Sequence, residues 1–377
     1  MEIEDYQEIE DIDESSSESQ DITIPFDPKE INIAVEPKTI GQLVSRLEEG
    51  AIDLNTEFQR KGNLWDDGVM SRLIESILLR FPLPTFYFDA EEEDRWLVVD
   101  GLQRLSCLQK FIVEKSEKKL KLKGLEILQK DYEGKSYDEL PRTMQRRILE
   151  TQVITYIIKP GTPKKVKYNV FRRINTGGLM LNPMEIRHAL NQEGATLNNQ
   201  SPATYLQNIS ENIQFRSLIN VQDKRMQDRE LILRYIAFTV FDYKEYTKPL
   251  SSFLDRAMEE IGKKSMEELR RIENRLFQAI NTSSSLFGKN MFSRSIAFPQ
   301  YKNMMNSALF EVWTAQLGRL NSLQIRNLET NRAKLLEGYK LLFQEERFDS
   351  SVTRSTSDKV SVQERFSKIE ELINQFI

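Results

Sequence analysis

The segment at residues 96–106 narrows the choice of fold for this 377-residue chain more than any other. The four apolar residues 96–99 predict a buried strand, Asp100 and Gly101 predict a tight turn, and the apolar spacing that follows predicts a helix. Unpaired N–H groups at the start of such a helix attract anions, and phosphate is the commonest biological anion bound there. A functional site where this strand ends is therefore expected.

The polar residues of this turn suit phosphate chemistry. Gly101 would allow close backbone approach, and Arg104, one helical turn further on, offers two N–H donors to phosphate oxygens. Asp100 could hold a divalent cation or orient a water molecule, and Gln103 could position a water or a phosphate oxygen. A structural interpretation is also open, in which Asp100 caps the helix, Gly101 makes the turn and Arg104 forms a surface salt bridge.

A second motif covers residues 171–187 and predicts a helix, a glycine-bearing loop and another helix. Asn182 is expected to cap the second helix, with Pro183 at its first position. The loop could present backbone amides to a ligand, or it could be only a demanding turn between helices. The loop residues predicted to bind nucleotide are Asn175, Thr176, Gly177 and Gly178.

A third motif, Gln59 and Arg60 followed by Trp65, places polar groups before an apolar helix. Gln59 and Arg60 are therefore candidates for the same ligand site. Trp65 could stack a base or fill the core.

The hydrophobic pattern divides the chain into a mixed α/β part and a helical part. Strands are predicted at 85–88, 96–99 and 153–158, and helices at 39–50 and 67–80. The first of these helices begins with the sequence of a capping box.

From residue 164 onward the pattern is mainly helical. Capping boxes are predicted at 265–268 and 361–364, and a mobile Ser/Thr-rich loop at 350–358. Residues 115–130, with six lysines among leucines, are expected to form a β-ribbon or a surface helix.

The chain has one cysteine, Cys107, and one histidine, His188, which exclude several kinds of site. An internal disulfide and a cysteine-based zinc site are ruled out, and histidine-dependent hydrolysis is nearly excluded, so His188 is expected to be structural. No apolar run of eighteen residues and no secretory signal occur, so a cytoplasmic protein without a membrane partner is expected.

The charge is distributed unevenly. Residues 1–30 carry a net charge of −11, which leaves +6 for the rest of a chain whose total is −5. The acidic, serine-rich tail is predicted to be disordered, either simply solvated or competing with nucleic acid for the basic surface. Charge runs are also typical of solvated faces. The residues predicted to contact nucleic acid are Lys119, Lys121, Lys123, Lys164, Lys165, Lys167, Arg172 and Arg173.

Together these motifs resemble the GmrSD-type N-terminal domain family, also known as domain of unknown function 262. The resemblance covers about residues 37–240 and keeps the family's motif order. The matching pieces are Phe58-Gln59-Arg60 with Trp65, residues 73–78, Phe81-Pro82-Leu83-Pro84, Asp100-Gly101-Leu102-Gln103-Arg104-Leu105, residues 171–178, 181–183 and 185–187, and residues 225–230.

The resemblance implies an α+β fold, with a ParB/sulfiredoxin-like mixed α/β core followed by a mainly helical C-terminal part. We accordingly expect an acidic tail at 1–30, a ParB-like domain at 31–224 and a helical domain at 225–377. It also implies a site for an NTP and Mg²⁺. Its expected members are the catalytic residues Asp100, Gln103 and Arg104, with Asp100 also as metal ligand, and the nucleotide-binding residues Gln59, Arg60, Gly101, Asn175, Thr176, Gly177 and Gly178.

Two departures from the family pattern bear on function. Leu102 stands where the family usually has glutamine. An apolar side chain there cannot hydrogen-bond a nucleotide or a water molecule, which argues against hydrolysis. Many relatives also carry a C-terminal HNH-type nuclease domain, whose active site needs histidine. Because no histidine follows His188, such a domain is not expected in this chain.

The expected function is nucleotide-dependent DNA binding and restriction in antiphage defence, with a separate nuclease or effector protein as a partner and homo-oligomers allowed. The alternative is a non-catalytic ParB-like DNA-binding or regulatory module that acts with a separate effector nuclease. A metal-dependent nuclease using Asp66, Asp67 and the acidic residues 91–94 is a third interpretation, although turn and capping roles explain those carboxylates.

Overall fold

A computed structural model describes residues 7–10, 31–54, 65–92, 94–115, 119–174, 182–192, 201–221 and 225–377. They form two compact units, one within Pro25–Asn182 and the other within Pro183–Ile377 together with residues 7–10. The predicted site residues Gln59, Arg60, Asn175, Thr176, Gly177 and Gly178 lie outside the described residues. No helix in the described ranges is long and apolar enough to cross a membrane.

The first unit is built around a five-stranded sheet. Its strands are β1 Ile33–Thr39, β2 Ile52–Asp53, β3 Phe86–Glu92, β4 Arg95–Asp100 and β5 Gln152–Ile158, in the spatial order β1-β5-β3-β4-β2. β3 and β4 confirm the strands predicted at 85–88 and 96–99 and pair antiparallel, and β5 confirms the strand predicted at 153–158. β5 lies parallel to β3 and antiparallel to β1, whereas β2 lies parallel to β4. The sheet is therefore mixed.

The sequence pattern does not predict β1, the strand at one edge of the sheet. β1 contains Pro37, which has no N–H to donate to a neighbouring strand. Proline is tolerated on an edge strand, because only one side of that strand is paired. The pairing of β1 with β5 thus depends on the tertiary fold.

The first unit also contains helices. Their bounds are α1 Ile40–Glu48, α2 Asp67–Leu78, α3 Leu102–Leu108, α4 Gln129–Tyr132, α5 Arg142–Glu150 and α6 Lys164–Ile174. α1 starts with the predicted capping box, in which Thr39 and Gln42 each accept a hydrogen bond from the other's backbone amide. The hydrophobic core combines Phe86, Phe88, Trp96 and Val98 of the sheet with Leu43, Ile74 and Leu105 of α1, α2 and α3.

Where the structure describes the lysine-rich segment from residue 119 to 128, it forms neither the β-ribbon nor the surface helix that its pattern predicts. From residue 119 the chain is irregular until the short helix α4. The Glu75 carboxylate accepts hydrogen bonds from the backbone amides of Glu126, Ile127 and Leu128 at 2.7 to 3.0 Å. A side chain distant in sequence therefore satisfies the backbone groups that a sheet or helix would otherwise pair. The segment is anchored by the buried residues Leu120, Leu122 and Leu125.

The second unit is helical, as predicted, so the α+β fold class is confirmed. Its helices are α7 Pro183–Leu190, α8 Pro202–Glu211, α9 Ile213–Leu218, α10 Gln227–Val240, α11 Leu250–Lys263, α12 Met266–Phe287, α13 Ser307–Leu317, α14 Ser322–Thr330, α15 Arg332–Leu342, α16 Glu346–Thr353 and α17 Lys359–Asn374. The capping box predicted from Ser265 to Glu268 is present. The box predicted at 361–364 is wrong, because α17 begins at Lys359, directly after Asp358.

The mobile Ser/Thr-rich loop predicted at 350–358 is only partly present, because residues 350–353 belong to α16 and residues 354–358 connect α16 to α17. α16 extends to Thr353, and the buried Arg365 donates hydrogen bonds to the carbonyls of Ser351 and Thr356 at 3.2 and 2.7 Å. Arg365 is itself paired with the buried carboxylate of Glu311. A buried guanidinium therefore fixes a segment whose Ser/Thr content suggested mobility.

Four residues of the acidic N-terminal segment pair with the second unit, although the composition of residues 1–30 predicts disorder. Residues 7–10 form parallel β-bridges and place two carboxylates against polar side chains. The pairs are Gln7 with Val221, Ile9 with Met305, Glu8 with Lys302 and Glu10 with Asn306. These contacts offset the entropy lost on ordering the residues. The domain boundaries predicted at 30 and 224 stay predictions.

Candidate functional site

The predicted strand, turn and helix form around Gly101. β4 ends at Asp100, Gly101 has a φ of 98°, and α3 begins at Leu102. A Cβ on Gly101 would lie 2.5 Å from Cδ1 of Phe86. Glycine is therefore required both by the left-handed backbone and by the neighbouring ring. The close approach seen at this glycine is to Phe86, whereas the sequence suggested a ligand.

A β-bulge sets the direction of Asp100. Tyr87 pairs with Asp100, whereas the next residue, Phe88, pairs with Val98, so Val99 is the extra residue in β4. Directly paired residues share a face of the sheet, and successive residues of β3 point to opposite faces. Asp100 therefore lies with Tyr87 on the face opposite to the core ring of Phe88.

Asp100 and Arg104 form an ion pair one helical turn apart. Arg104 Nη2 donates to Asp100 Oδ2 at 2.8 Å, its Nη1 donates to the carbonyl of Pro84, and its guanidinium lies 4.6 Å from the centroid of the Phe86 ring. Arg104 is only 8% exposed, so this is not the surface salt bridge of the structural interpretation. Burial lowers the pKa of Arg104, and the Asp100 carboxylate opposes that shift. The guanidinium is thus held in one orientation from two sides.

Gln103 connects the turn to the chain that precedes α2. Its Oε1 accepts a hydrogen bond from the backbone amide of Trp65 at 3.0 Å. Trp65 packs against the hydrophobic core, which favours the core interpretation of this tryptophan over base stacking. Gln103 therefore bonds a residue that follows the predicted ligands Gln59 and Arg60 closely in sequence.

Leu102 faces the interior. Its side chain is buried in the hydrophobic core, whereas Asp100 lies on the opposite face of the sheet. The apolar leucine side chain therefore does not compete for hydrogen bonds with the Asp100–Arg104 pair. The departure from the family pattern at this position leaves that pair intact.

Lys167 is predicted to contact DNA, but it has other partners. Its ammonium group donates to both carboxylate oxygens of Asp89 at 2.8 and 2.9 Å and also pairs with Glu91. Its side chain is 4% exposed. Burial raises the pKa of Asp89, and Lys167 opposes the shift. Lys167 is thus held in a buried ion pair in this structure, and its contact with DNA stays a prediction.

The other predicted DNA contacts differ in exposure. Lys121 and Lys123 are exposed, and the Lys123 ammonium lies 3.4 Å from an Asp67 carboxylate oxygen. Lys119 is largely buried and bonds Asp138. Among the predicted contacts whose side chains are described, Lys121 and Lys123 are therefore the most accessible. The predicted residues Lys164, Lys165, Arg172 and Arg173 lie on α6, and their side chains are outside the described part of the structure.

His188 lies in the second unit, next to Arg229. Nη1 of Arg229 is 3.0 Å from Nδ1 of His188, and both residues are buried. Burial, and then the Arg229 charge, lower the pKa of His188 to about 3. The imidazole is therefore neutral at pH 7, in agreement with the structural role expected for the one histidine.

The carboxylates do not gather into a protein-only metal site. Across the ranges that the structure describes, no group of three or more His, Cys, Asp and Glu side chains is placed to hold a metal ion. Mg²⁺ at nucleotide sites is commonly held by one or two carboxylates, with the phosphates and water completing the shell. A single carboxylate, such as that of Asp100, is all that a shared site of this kind would require of the protein.

The fold and the site define a class of protein: an α+β domain in which a strand of a mixed sheet ends at a glycine turn, next to an ion pair between the partly buried Asp100 and the buried Arg104. Residues 40–192 match the family described as GmrSD restriction endonuclease, N-terminal domain. The chain therefore carries a domain of the GmrSD N-terminal family, which belongs to restriction-system proteins. No curated protein and no solved structure matched the chain. The match confirms the resemblance up to residue 192.

Proposed function

We propose that this protein is a nucleotide-dependent, DNA-binding restriction protein of antiphage defence, which binds and hydrolyses an NTP with Mg²⁺ at residues 100–104. The observation that carries the proposal is the fixed Asp100–Arg104 pair at the end of β4. The family match supports the restriction setting.

The Arg104 guanidinium would bind phosphate oxygens by exchanging its bond to Asp100 for bonds to the nucleotide. The carbonyl of Pro84 holds the other side of the guanidinium, so little reorganisation is needed when the ligand arrives. Asp100 would then be free to bind Mg²⁺ or to orient the attacking water. Gln103 would be the second group to position that water or a phosphate oxygen.

DNA binding would use the exposed lysines of the irregular segment, Lys121 and Lys123. Lysines that neutralise phosphates release counterions, which gives an affinity that is independent of sequence and sensitive to salt. Cleavage would fall to a separate nuclease or effector protein, because the chain's one histidine, His188, is buried.

The alternative is a non-catalytic DNA-binding or regulatory module that acts with a separate effector nuclease. The observation that favours it is the same ion pair, since a carboxylate that stays bonded to Arg104 would leave nucleotide binding without turnover. The two functions differ in one measurable property, the release of phosphate.

An intrinsic metal-dependent nuclease has less support. Asp66 caps α2 by accepting from the amides of Gly68 and Val69, and Asp67 pairs with Lys110. These two carboxylates therefore already have the capping and pairing roles that explain their presence.

The deciding experiment measures phosphate release from the four NTPs and four dNTPs with Mg²⁺, with and without DNA. Arg104→Ala and Asp100→Asn are each expected to lower turnover by about 100-fold or more, as for the loss of one group that stabilises transition-state charge. Arg147→Ala is the matched control, because the Arg147 guanidinium also donates to a backbone carbonyl, that of Leu78 at 3.0 Å.

Turnover that persists in Arg104→Ala, or an equal loss in Arg147→Ala, would contradict the assignment of this site. A wild-type protein that binds nucleotide without releasing phosphate would establish the regulatory alternative.

A further inference from the structure

The outer face of the sheet, defined as the face opposite to the core ring of Phe88, carries a row of residues from four neighbouring strands. The register pairs Val35 with Tyr156, Tyr156 with Tyr87, and Tyr87 with Asp100. Paired residues on one face have Cβ atoms about 5 Å apart. The row therefore runs directly from an apolar end to the candidate phosphate site.

The two tyrosine rings of this row stack on each other. The centroids of Tyr87 and Tyr156 are 4.8 Å apart, and the ring planes differ by 14°. Because this separation equals the usual spacing of about 4.8 Å between strands, the rings stand side by side on the sheet. Tyr156 covers one face of the Tyr87 ring. Because β3 lies between β5 and β4, we infer that the other face of that ring is directed toward β4.

The apolar, aromatic and charged groups along this row follow the same order as the base and the phosphates of a nucleotide. Val35 is 57% exposed and both tyrosines are partly exposed, so this end offers apolar, aromatic surface. The other end offers the carboxylate of Asp100 and the guanidinium of Arg104. A nucleoside triphosphate joins a flat ring to a group of anionic oxygens in the same order.

We propose that Tyr87, supported from behind by Tyr156, forms the subsite that stacks the nucleobase of the bound NTP. The inference rests on the function proposed above and adds the position of the base. Stacking on an aromatic ring tolerates every base, because each base presents a π-face. The subsite should therefore strengthen binding of all four NTPs and contribute nothing to binding of an inorganic polyphosphate.

The test measures the affinity of the full chain for ATP, GTP, CTP, UTP and inorganic tripolyphosphate, each with Mg²⁺, by isothermal titration calorimetry. Tyr87→Leu should weaken every NTP by about 5- to 150-fold and leave tripolyphosphate unchanged. Tyr87→Phe keeps the ring and should keep the affinity. Tyr132→Leu is the matched control, since Tyr132 is a partly buried tyrosine of the same unit that packs on the hydrophobic core.

The outcomes separate this inference from the proposed function. If wild-type protein binds tripolyphosphate as tightly as the NTPs, or if Tyr87→Leu weakens all five ligands equally, the base subsite is overturned and the phosphate site stands. If none of the five ligands binds to wild-type protein, the proposed function fails and this inference fails with it.

Discussion

At Gly101 a left-handed backbone meets the ring of Phe86 with no room for a Cβ. The same ring lies against the guanidinium of Arg104. The glycine, the phenylalanine and the arginine therefore form one packed group, and Asp100 is attached to it through the ion pair. A change at any of these residues should alter the geometry of the turn.

We expect Gly101→Ala to destabilise the first unit by at least about 2 kcal/mol. A left-handed conformation costs an L-residue about 1–2 kcal/mol, and overpacking against Phe86 adds about 1–3 kcal/mol. Gly124→Ala is the control, because Gly124 also has a positive φ, of 65°, but a Cβ added there would meet no heavy atom within 4 Å. Urea unfolding monitored by circular dichroism gives both free energies. Equal losses in the two variants would show that the contact with Phe86 is unimportant.

Among the elements, the irregular segment after residue 119 donates backbone hydrogen bonds to two carboxylates, those of Glu75 and Glu133. Glu75 on α2 bonds the amides of Glu126, Ile127 and Leu128. Burial raises the pKa of Glu75, but the three hydrogen bonds together lower it by more than burial raises it. The pKa is therefore below its usual value of 4.5. Residues 126–128 of the segment that carries Lys121 and Lys123 are thus held by a charged group.

We expect Glu75→Gln to destabilise this segment by about 1–3 kcal/mol at pH 7, because charge-assisted hydrogen bonds are weakened. A carboxylate with a depressed folded-state pKa stabilises the fold above its unfolded pKa, and the effect is lost as the pH falls through the folded pKa. The difference between wild type and variant should therefore shrink below about pH 4.5. Hydrogen exchange of the amides at 126–128 measures it directly.

Glu48→Gln, which changes an exposed carboxylate at the end of α1, is the control for that measurement. A difference between wild type and Glu75→Gln that is the same at pH 7 and pH 3.5 would show that the charge of Glu75 does not hold the segment.

For the whole molecule, the distribution of charge along the chain affects DNA binding more than the net charge does. The net charge is −5, although the chain beyond residue 30 carries +6. Long-range electrostatics act through such local excess charge, so an acidic chain can still attract DNA to a basic surface. In the second unit, Glu8 and Glu10 of the acidic segment already lie against Lys302 and Asn306.

DNA affinity should fall steeply with added salt. Each lysine that neutralises a phosphate contributes about 0.9 to the slope of log affinity against log salt concentration. Lys121→Gln should reduce that slope by about one such step, whereas Lys340→Gln, an exposed lysine on α15, should not. Fluorescence anisotropy with labelled DNA over a range of salt concentrations measures the slopes. Binding that is insensitive to salt, or absent at low salt, would contradict the DNA-binding proposal.

Features that depend on local order could be predicted from the amino-acid sequence. The apolar runs at 96–99 and 153–158 form strands, and Thr39 with Gln42 forms a capping box. The position of Gly101 between a strand and a helix followed from the same local pattern. These features are readable because burial along one element repeats with the period of that element.

The partners of the polar side chains, in contrast, follow from the tertiary fold. Asp89 and Lys167 are 78 residues apart in the chain, and no local pattern pairs them. The bulge that turns Asp100 toward Tyr87, and the burial of Arg104, likewise depend on strand register and on packing against other elements. A local sequence pattern specifies which residue types are buried on each element, whereas the partner of a buried charge is fixed only when distant elements meet.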